Sequence, residues 1–91
     1  NNYVLPAVAH IELVRDAGSK YFPVTKFKNI TFMDPLIVNS INKEIKISFI
    51  HKLRNVLDYE VYSEEDKKRT IHSKGSIESS SVEAELIFLN I

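Results

Sequence analysis

The chain has 91 residues, with 12 Lys+Arg, 12 Asp+Glu and 3 His, so its formal net charge is zero at pH 7. That length suits one small domain, and 44% hydrophobic with 26% charged residues is typical of a folded globular chain rather than a disordered one. The net charge of zero argues against a nucleic-acid binder and against a polybasic membrane anchor. The lack of Cys excludes disulfides and thiolate metal sites, and no apolar run approaches the roughly 20 residues of a membrane span.

The first predicted elements are a short strand or extended lead-in over residues 2–5 and a helix over residues 7–17. Pro6 suits the first turn of that helix, because its missing N–H would have no partner there, and Gly18 is expected to close the helix at the C′ position. Two apolar rows lie along it: Ala7, Ile11 and Val14, then Ala9, Leu13 and Ala17. So apolar a helix is expected to be buried over most of its circumference, wrapped by a sheet. The chain opens without Met or a signal pattern, so we expect it to be a piece of a longer protein.

After the helix the hydrophobic period changes to the alternation that is typical of strands. Residues 44–50 and residues 57–62 alternate strictly, and each run predicts a half-buried strand. A third strand is predicted over residues 70–79, and another over residues 24–32, where the apolar residues break the period of two and indicate a bulge. The charged run over residues 64–69 is expected to be a solvated hairpin connection. The predicted faces are Ile45, Ile47 and Phe49; Leu57, Tyr59 and Val61; and Ile71, Ser73, Gly75 and Ile77.

The remaining segments leave alternatives open. An Asp-Pro pair at 34–35 is expected to form a turn, after which residues 36–38 resume pairing. Residues 82–91 suit either a helix that starts at a capping box or a strand, and an extended tail is favoured. The small side chains of Ser73 and Gly75 indicate a close approach of the helix, or, at Gly75, a bulge. One helix and about four antiparallel strands predict an α+β layer architecture.

Several segments along the chain follow the motif order of a known protein family. Residues 4–13 (VLPAVAHIEL) are similar to a Leu-Pro-Gly-x-Ala-Tyr-Leu-Glu-Met pattern that opens a buried helix. Three strand motifs follow in the same order, and the end of the chain resembles the start of a linker: residues 29–38 (NITFMDPLIV), 59–63 (YEVYS), 71–77 (IHSKGSI) and 88–91 (FLNI). Together they resemble the N-terminal half of the dehydratase domains of modular polyketide synthases.

The resemblance implies the hot-dog fold, in which an antiparallel sheet wraps one long buried helix, and makes residues 1–91 one half of a double hot-dog. Residues 80–91 would then start the linker to the second half. The family's catalytic His belongs to a His-x-x-x-Gly-x-x-x-x-Pro motif, and a catalytic Asp comes from the second half. With Pro6 as the motif's proline, the His is expected four residues before Asn1, so the resemblance implies no catalytic residue within this chain and an inactive isolated fragment. Asn1 stands where the family has Gly, and Ala7 stands where its helix has Gly.

The implied reaction removes water from a 3-hydroxyacyl thioester that an acyl carrier protein holds on its phosphopantetheine, with no further cofactor. A base takes the proton next to the thioester carbonyl, an acid protonates the leaving hydroxyl, and the thioester oxygen needs hydrogen-bond donors. The backbone N–H groups of Ala7 and Val8, at the start of the helix, are the expected donors. The residues expected to bind substrate are Tyr3, Val4, Leu5, Pro6, Ala7 and Val8, and an ordinary paired strand is the alternative role for the first three.

The three His residues are each expected to be structural. His10 takes the family's Tyr position, and a buried, hydrogen-bonded His is favoured there over a substitute base. His72 is expected at the surface or a sheet edge, and His51 in solvent. Their spacing does not suit a zinc site.

The sequence leaves other functions open besides dehydration. One alternative is a hot-dog relative that does not dehydrate, namely a double-bond isomerase, a pyran-forming domain or an inactive domain. Another is a structural dimerisation module. The expected partners are an acyl carrier protein and the second hot-dog half or a homodimer mate, in the cytoplasm, with neither nucleic acid nor membrane.

Overall fold

The computed structural model describes residues 3–38 and 44–80, so the predictions for Asn1 and for residues 82–91 lie outside the described residues. The described elements are β1 (Tyr3–Val4), α1 (Ala7–Gly18), β2 (Lys26–Phe32), β3 (Ile37–Val38), β4 (Glu44–Leu53), β5 (Val56–Glu65) and β6 (Lys68–Glu78). β2, β6, β5 and β4 form an antiparallel sheet in that order, and β1 pairs with β3. Among the described residues, α1 packs against the four-stranded antiparallel sheet, which confirms the predicted α+β class. Within the described residues, no helix has the length and apolar character that crossing a bilayer requires.

The core lies between α1 and the inner face of the sheet. β5 contributes most to it, because β4 and β6 flank β5 on both sides and the alternation of its sequence turns every second residue inward. Leu57, Tyr59 and Val61 are all buried, as the sequence predicted. The core cluster is Val14, Phe22, Leu36, Leu57, Tyr59, Val61 and Ile77.

α1 contacts the sheet along a single row, made by His10, Val14 and Gly18. The sequence predicted burial around most of the helix; within this chain the buried row is narrower, and Val8 and Leu13 are 70% and 41% exposed. Successive members of the row are four positions apart in the sequence, which places them on one side of the helix. The helix therefore presents a second, uncovered apolar face.

The prediction that Gly18 closes the helix from the C′ position is wrong. Gly18 is the last helical residue, its φ is not positive, and the backbone N–H of Ser19 donates to the carbonyl of Arg15 at 2.9 Å. A Cβ on Gly18 would lie 2.6 Å from Cδ1 of Ile77 on β6. Close packing between helix and sheet, rather than a left-handed backbone, is therefore the physical reason for glycine here.

The bulge predicted in β2 is confirmed. The register of the pairing between β2 and β6 shifts between Lys28 and Thr31, and Asn29 has a φ of 56°. Two β2 residues, Asn29 and Ile30, lie opposite the single residue Gly75 of β6, whose missing Cβ leaves room for the Tyr59 ring and for the Lys28 carbonyl. Of the two alternatives for the small residues, Gly75 therefore marks the bulge. The close approach of the helix is made at Gly18, which packs against Ile77.

A second irregularity lies between β5 and β6. Ser73 pairs with Val61 and Ile71 pairs with Tyr62, so His72 has no Cα partner on β5. As a result His72 and Ser73 are both buried although they are adjacent, at 3% and 0% exposure. The prediction that His72 lies at the surface or a sheet edge is therefore wrong.

The charged run forms the predicted hairpin. Its turn is Asp66 and Lys67, which both have positive φ, 54° and 65°, as a two-residue type I′ turn requires. The strands extend further into the run than the sequence indicated, since Glu65 pairs with Lys68. This turn fixes the register between β5 and β6.

Candidate functional site

A cleft of about 380 Å³ opens beside the N-terminus of α1. Its volume falls in the range of small-molecule sites. Apolar side chains dominate its wall, and two imidazoles and one carboxylate supply the polar groups. The lining residues are Val4, Leu5, Ala7, His10, Phe32, Met33, Asp34, Pro35, Leu36 and His72.

Backbone pairing brings these elements together. The N–H of Leu5 donates to the carbonyl of Leu36 at 2.9 Å, which ties the lead-in of α1 to the segment after the 34–35 turn. The N–H of Met33 donates to the carbonyl of His72 at 2.8 Å and so ties the same segment to β6. These backbone bonds therefore hold the segments that line the cleft against one another.

The N-terminus of α1 carries unpaired donors. Pro6 is the N-cap in an extended conformation, without a side-chain cap, and its carbonyl accepts from the N–H groups of Ala9 and His10 at 3.0 and 3.4 Å. Within the described part of the chain, the N–H groups of Ala7 and Val8 have no acceptor. The first turn contains no acidic side chain that would offset the partial positive charge of the helix end. This end of α1 is therefore suited to an oxygen that gains negative charge.

His10 is buried, as predicted, and held on two sides. Its Nδ1 lies 2.9 Å from Ser73 Oγ, and its ring meets Phe32 edge to face with centroids 5.3 Å apart. Burial, and then the positive charge that His72 can carry, lowers the pKa of His10 below the ordinary 6.5. His10 is therefore a neutral imidazole at pH 7.

His72 uses both ring nitrogens inside the fold. Nδ1 lies 2.9 Å from the backbone carbonyl of Asp34, and Nε2 lies 2.7 Å from Ser63 Oγ. A carbonyl oxygen only accepts, so Nδ1 carries a proton, and in the neutral ring Nε2 accepts from the Ser63 hydroxyl. His72 thus ties β5 and β6 to the 34–35 turn at the edge of the cleft.

The sequence reading missed His72, and the position of the hairpin turn is the signal that points to it. A two-residue turn at Asp66 and Lys67 places His72 opposite Val61 in regular pairing. Cross-strand partners share a face of the sheet, and Val61 belongs to the buried face. Alternation counted within β6 alone gave the opposite face, because the bulge changes the parity between His72 and Ser73.

The structure brings some of the sequence-predicted site residues to the cleft and separates others from it. Val4, Leu5 and Ala7 line it. Val8, together with Leu5, lines a groove on another side of α1. Tyr3, Pro6 and Val8 do not line the cleft. Tyr3 pairs with Val38, and Pro6 is the N-cap of α1.

Two further expectations concern His51 and metal binding. His51 lies on β4 and is exposed, as expected. Within the described ranges, 3–38 and 44–80, no three His, Asp or Glu side chains lie close enough together to hold a metal ion.

Known proteins resemble this chain in sequence and in fold. Residues 1–64 match the family described as the polyketide synthase dehydratase domain. Polyketide synthase PksM of Bacillus subtilis is 31% identical over 98 residues, which cover 97% of this chain and 2% of that protein. A trans-AT PKS dehydratase domain from Brevibacillus brevis is 24% identical with a TM-score of 0.72, over 88% of this chain and 34% of that one. The dehydratase domain from the CurF module of curacin polyketide synthase is 16% identical with a TM-score of 0.71, over 88% of this chain and 32% of that one.

These likenesses establish the fold as that of dehydratase hot-dog domains, as the sequence predicted. The chain spans about a third of each solved domain and a small part of the curated relative.

Proposed function

Because this chain belongs to the polyketide synthase dehydratase family, we propose that it forms part of a domain that removes water from a 3-hydroxyacyl thioester. The substrate is carried on the phosphopantetheine of an acyl carrier protein. The observation that carries the proposal is the apolar cleft beside an uncapped helix N-terminus, where the N–H groups of Ala7 and Val8 lack acceptors. The cleft suits an acyl chain, and the helix end suits its thioester oxygen.

The reaction needs charge stabilisation at that oxygen. A base removes a proton from C2, the electron pair of that C–H bond forms the C2=C3 double bond, and the C3–O bond breaks as an acid protonates the leaving hydroxyl to give water. Negative charge builds on the thioester oxygen as the proton leaves. Ala7, Val8 and the dipole of α1 stabilise it in this proposal. No step requires a cofactor beyond the phosphopantetheine.

The proposed base and acid lie outside the 91 residues. The family pattern assigns the base to a His four residues before Asn1 and the acid to an Asp of a second hot-dog half. The proposal therefore includes that the 91 residues alone do not turn over a 3-hydroxyacyl thioester. Turnover by the isolated chain would contradict this assignment.

The uncovered face of α1 supports a partner within the domain. Val8 and Leu13 are exposed on it, and they border a groove that also contains Leu5 and Ala9. We place the second hot-dog half, or a homodimer mate, against this face, because apolar side chains on a long helix are normally covered. The acyl carrier protein and a cytoplasmic location complete the proposal.

The test removes one backbone donor from the complete dehydratase domain. In Ala7→Pro the N–H of residue 7 is lost, and the change suits the site because residue 7 is the first helical residue and Pro6 has a ψ of 156°. Ala7→Val adds similar bulk and keeps the N–H, and Ala7→Gly restores the family's residue. We expect kcat for a 3-hydroxyacyl pantetheine thioester to fall about 100-fold in Ala7→Pro.

The two control variants decide what a loss means. If Ala7→Val loses as much activity as Ala7→Pro, bulk rather than the missing donor is the cause, and the role of the helix N-terminus is wrong. If the wild-type domain dehydrates none of a series of 3-hydroxyacyl pantetheine thioesters of increasing chain length, the dehydratase function itself is contradicted.

A further inference from the structure

One nitrogen of His10 has no partner in the fold. Nδ1 contacts Ser73, whereas Nε2 has no hydrogen-bond partner among the described residues. Every fully buried side-chain nitrogen or oxygen of those residues does have a partner, so Nε2 must retain accessible surface. His10 as a whole is only 4% exposed, and it lines the cleft beside the helix N-terminus. Because His10 lines the cleft, the cleft is where a ligand can reach Nε2.

The position of His10 places this nitrogen close to the proposed thioester site. His10 follows Ala7 by three residues, an axial rise of about 4.5 Å. Side chains on a helix lean towards its N-terminus, so the His10 ring extends back over the first turn. Contacts with Ser73 and Phe32 hold the ring in this orientation.

The chemistry of the nitrogen selects its ligand. His10 is neutral, so Nε2 is a donor in one tautomer and an acceptor in the other, and Ser73 can pair with Nδ1 in both. A hydroxyl both donates and accepts, so it can pair with either tautomer, whereas a carbonyl oxygen pairs with only one. In a cleft whose wall is mainly apolar, such a group favours a ligand hydroxyl.

We propose that His10 binds the 3-hydroxyl of the acyl thioester through Nε2 and thereby makes the cleft selective for 3-hydroxylated acyl chains. The inference rests on the proposed function, because the bound thioester defines where the 3-hydroxyl lies. The carbonyl at C1 and the hydroxyl at C3 are close together along the acyl chain, and Ala7 and His10 both line the cleft within one helical turn of each other. His10 is here a specificity-determining residue that positions the hydroxyl, and the proton transfers remain with the base and acid proposed above.

The test measures binding of two ligands to the complete dehydratase domain. The first is a 2,2-difluoro-3-hydroxyacyl pantetheine thioester, which has no C2 proton and cannot eliminate water, and the second is the same compound without the hydroxyl. We expect the wild-type domain to bind the hydroxylated ligand about tenfold more tightly, the effect of one hydrogen bond in an apolar site. His10→Asn keeps an atom near Nδ1 for Ser73 but none at Nε2, so its preference should disappear. His10→Gln reaches the Nε2 position and should retain part of it.

Ser73→Ala is the matched control: it removes the Nδ1 partner, while the edge-to-face contact with Phe32 still holds the ring, so the preference should persist. The nitrogen NMR signal of His10 Nε2 in the wild-type domain tests the contact without any substitution. It should shift on adding the hydroxylated ligand and not on adding the other.

Each outcome separates this inference from the proposed function. Equal binding of both ligands by the wild type, or an unchanged preference in a folded His10→Asn domain, overturns the role of His10 while thioester binding stands. Failure of both ligands to bind the wild type overturns the proposed function as well.

Discussion

His72 is the residue on which the edge of the cleft depends most directly. Its ring pairs with Ser63 and with the carbonyl of Asp34. His72→Leu keeps similar volume but leaves both partners unsatisfied, so we expect the free energy of unfolding to fall by about 2–4 kcal/mol. With Ser63→Ala already in place, one of those partners is absent, and His72→Leu should cost about 1 kcal/mol less. Urea denaturation of the complete domain carrying the two single changes and the double change measures this coupling; equal costs in both backgrounds would contradict it.

His10 gives the stability of the domain a pH dependence of known sign. Its pKa in the folded protein is lowered by burial and by His72, so the unfolded chain binds the proton more tightly. The stability that this difference contributes is present above the ordinary pKa of 6.5 and is lost as the pH falls through the lower folded value. We expect the unfolding free energy to fall more steeply below pH 6.5 in the wild type than in His10→Asn. The difference between the two curves measures the effect of His10, and parallel curves would contradict the prediction.

At the scale of elements, α1 can approach β6 closely because Gly18 has no Cβ. A Cβ on Gly18 would meet Cδ1 of Ile77 at 2.6 Å, so Gly18→Ala is expected to destabilise by about 1 kcal/mol, since crowding of about 1–3 kcal/mol outweighs a gain in helix propensity of about 1 kcal/mol. Ile77→Val removes Cδ1, and in that background Gly18→Ala should be neutral or stabilising. Gly75→Ala is the matched control, because its Cβ would meet Tyr59 rather than Ile77 and its cost should not depend on Ile77→Val. Chemical denaturation of the five variants of the domain checks this; a cost of Gly18→Ala that is the same in both backgrounds would show that Ile77 is not the obstacle.

The elements also show what a sequence can predict and where it stops. β4 and β5 were predictable as strands, because strict alternation is typical of a strand with one face on a core. The predicted face is buried in β5, whereas in β4 Ile47 and Phe49 are half-buried and Ile45 is 37% exposed. His72 was not predictable from β6 alone, because its direction depends on a bulge that appears only when β6 is paired with β5. Gly18 was misassigned for a similar reason: a glycine required for packing and a glycine required for a left-handed turn look the same until the neighbouring element is known. For the cleft, the sequence and its resemblance predicted the helix N-terminus and Ala7, while the contribution of residues 32–36 depended on pairing between β1 and β3.

At the scale of the whole molecule, the described residues form a sheet with one covered face and a helix with one covered side. Val8 and Leu13 lie on the uncovered side of α1, and the solved relatives are about three times as long as this chain. The larger domain proposed above would explain both observations, because its second hot-dog half would bury the outer side of the helix. The same arrangement would enclose the cleft, which residues at the beginning of α1 help to line.

The uncovered helix face therefore predicts how the 91 residues behave when they are produced alone. We expect the isolated chain to self-associate through this face, with a sedimentation coefficient that rises with concentration. Val8→Glu combined with Leu13→Glu should shift the chain towards monomer, because each places a charge on the contact. Ile50→Glu is the matched control: Ile50 is 66% exposed, like Val8 at 70%, but it lies on β4 beside Ser48 and Lys52, away from the helix groove. A wild-type chain that stays monomeric would contradict self-association through the helix face. If Ile50→Glu alone made the chain monomeric, the chains would associate through the sheet instead.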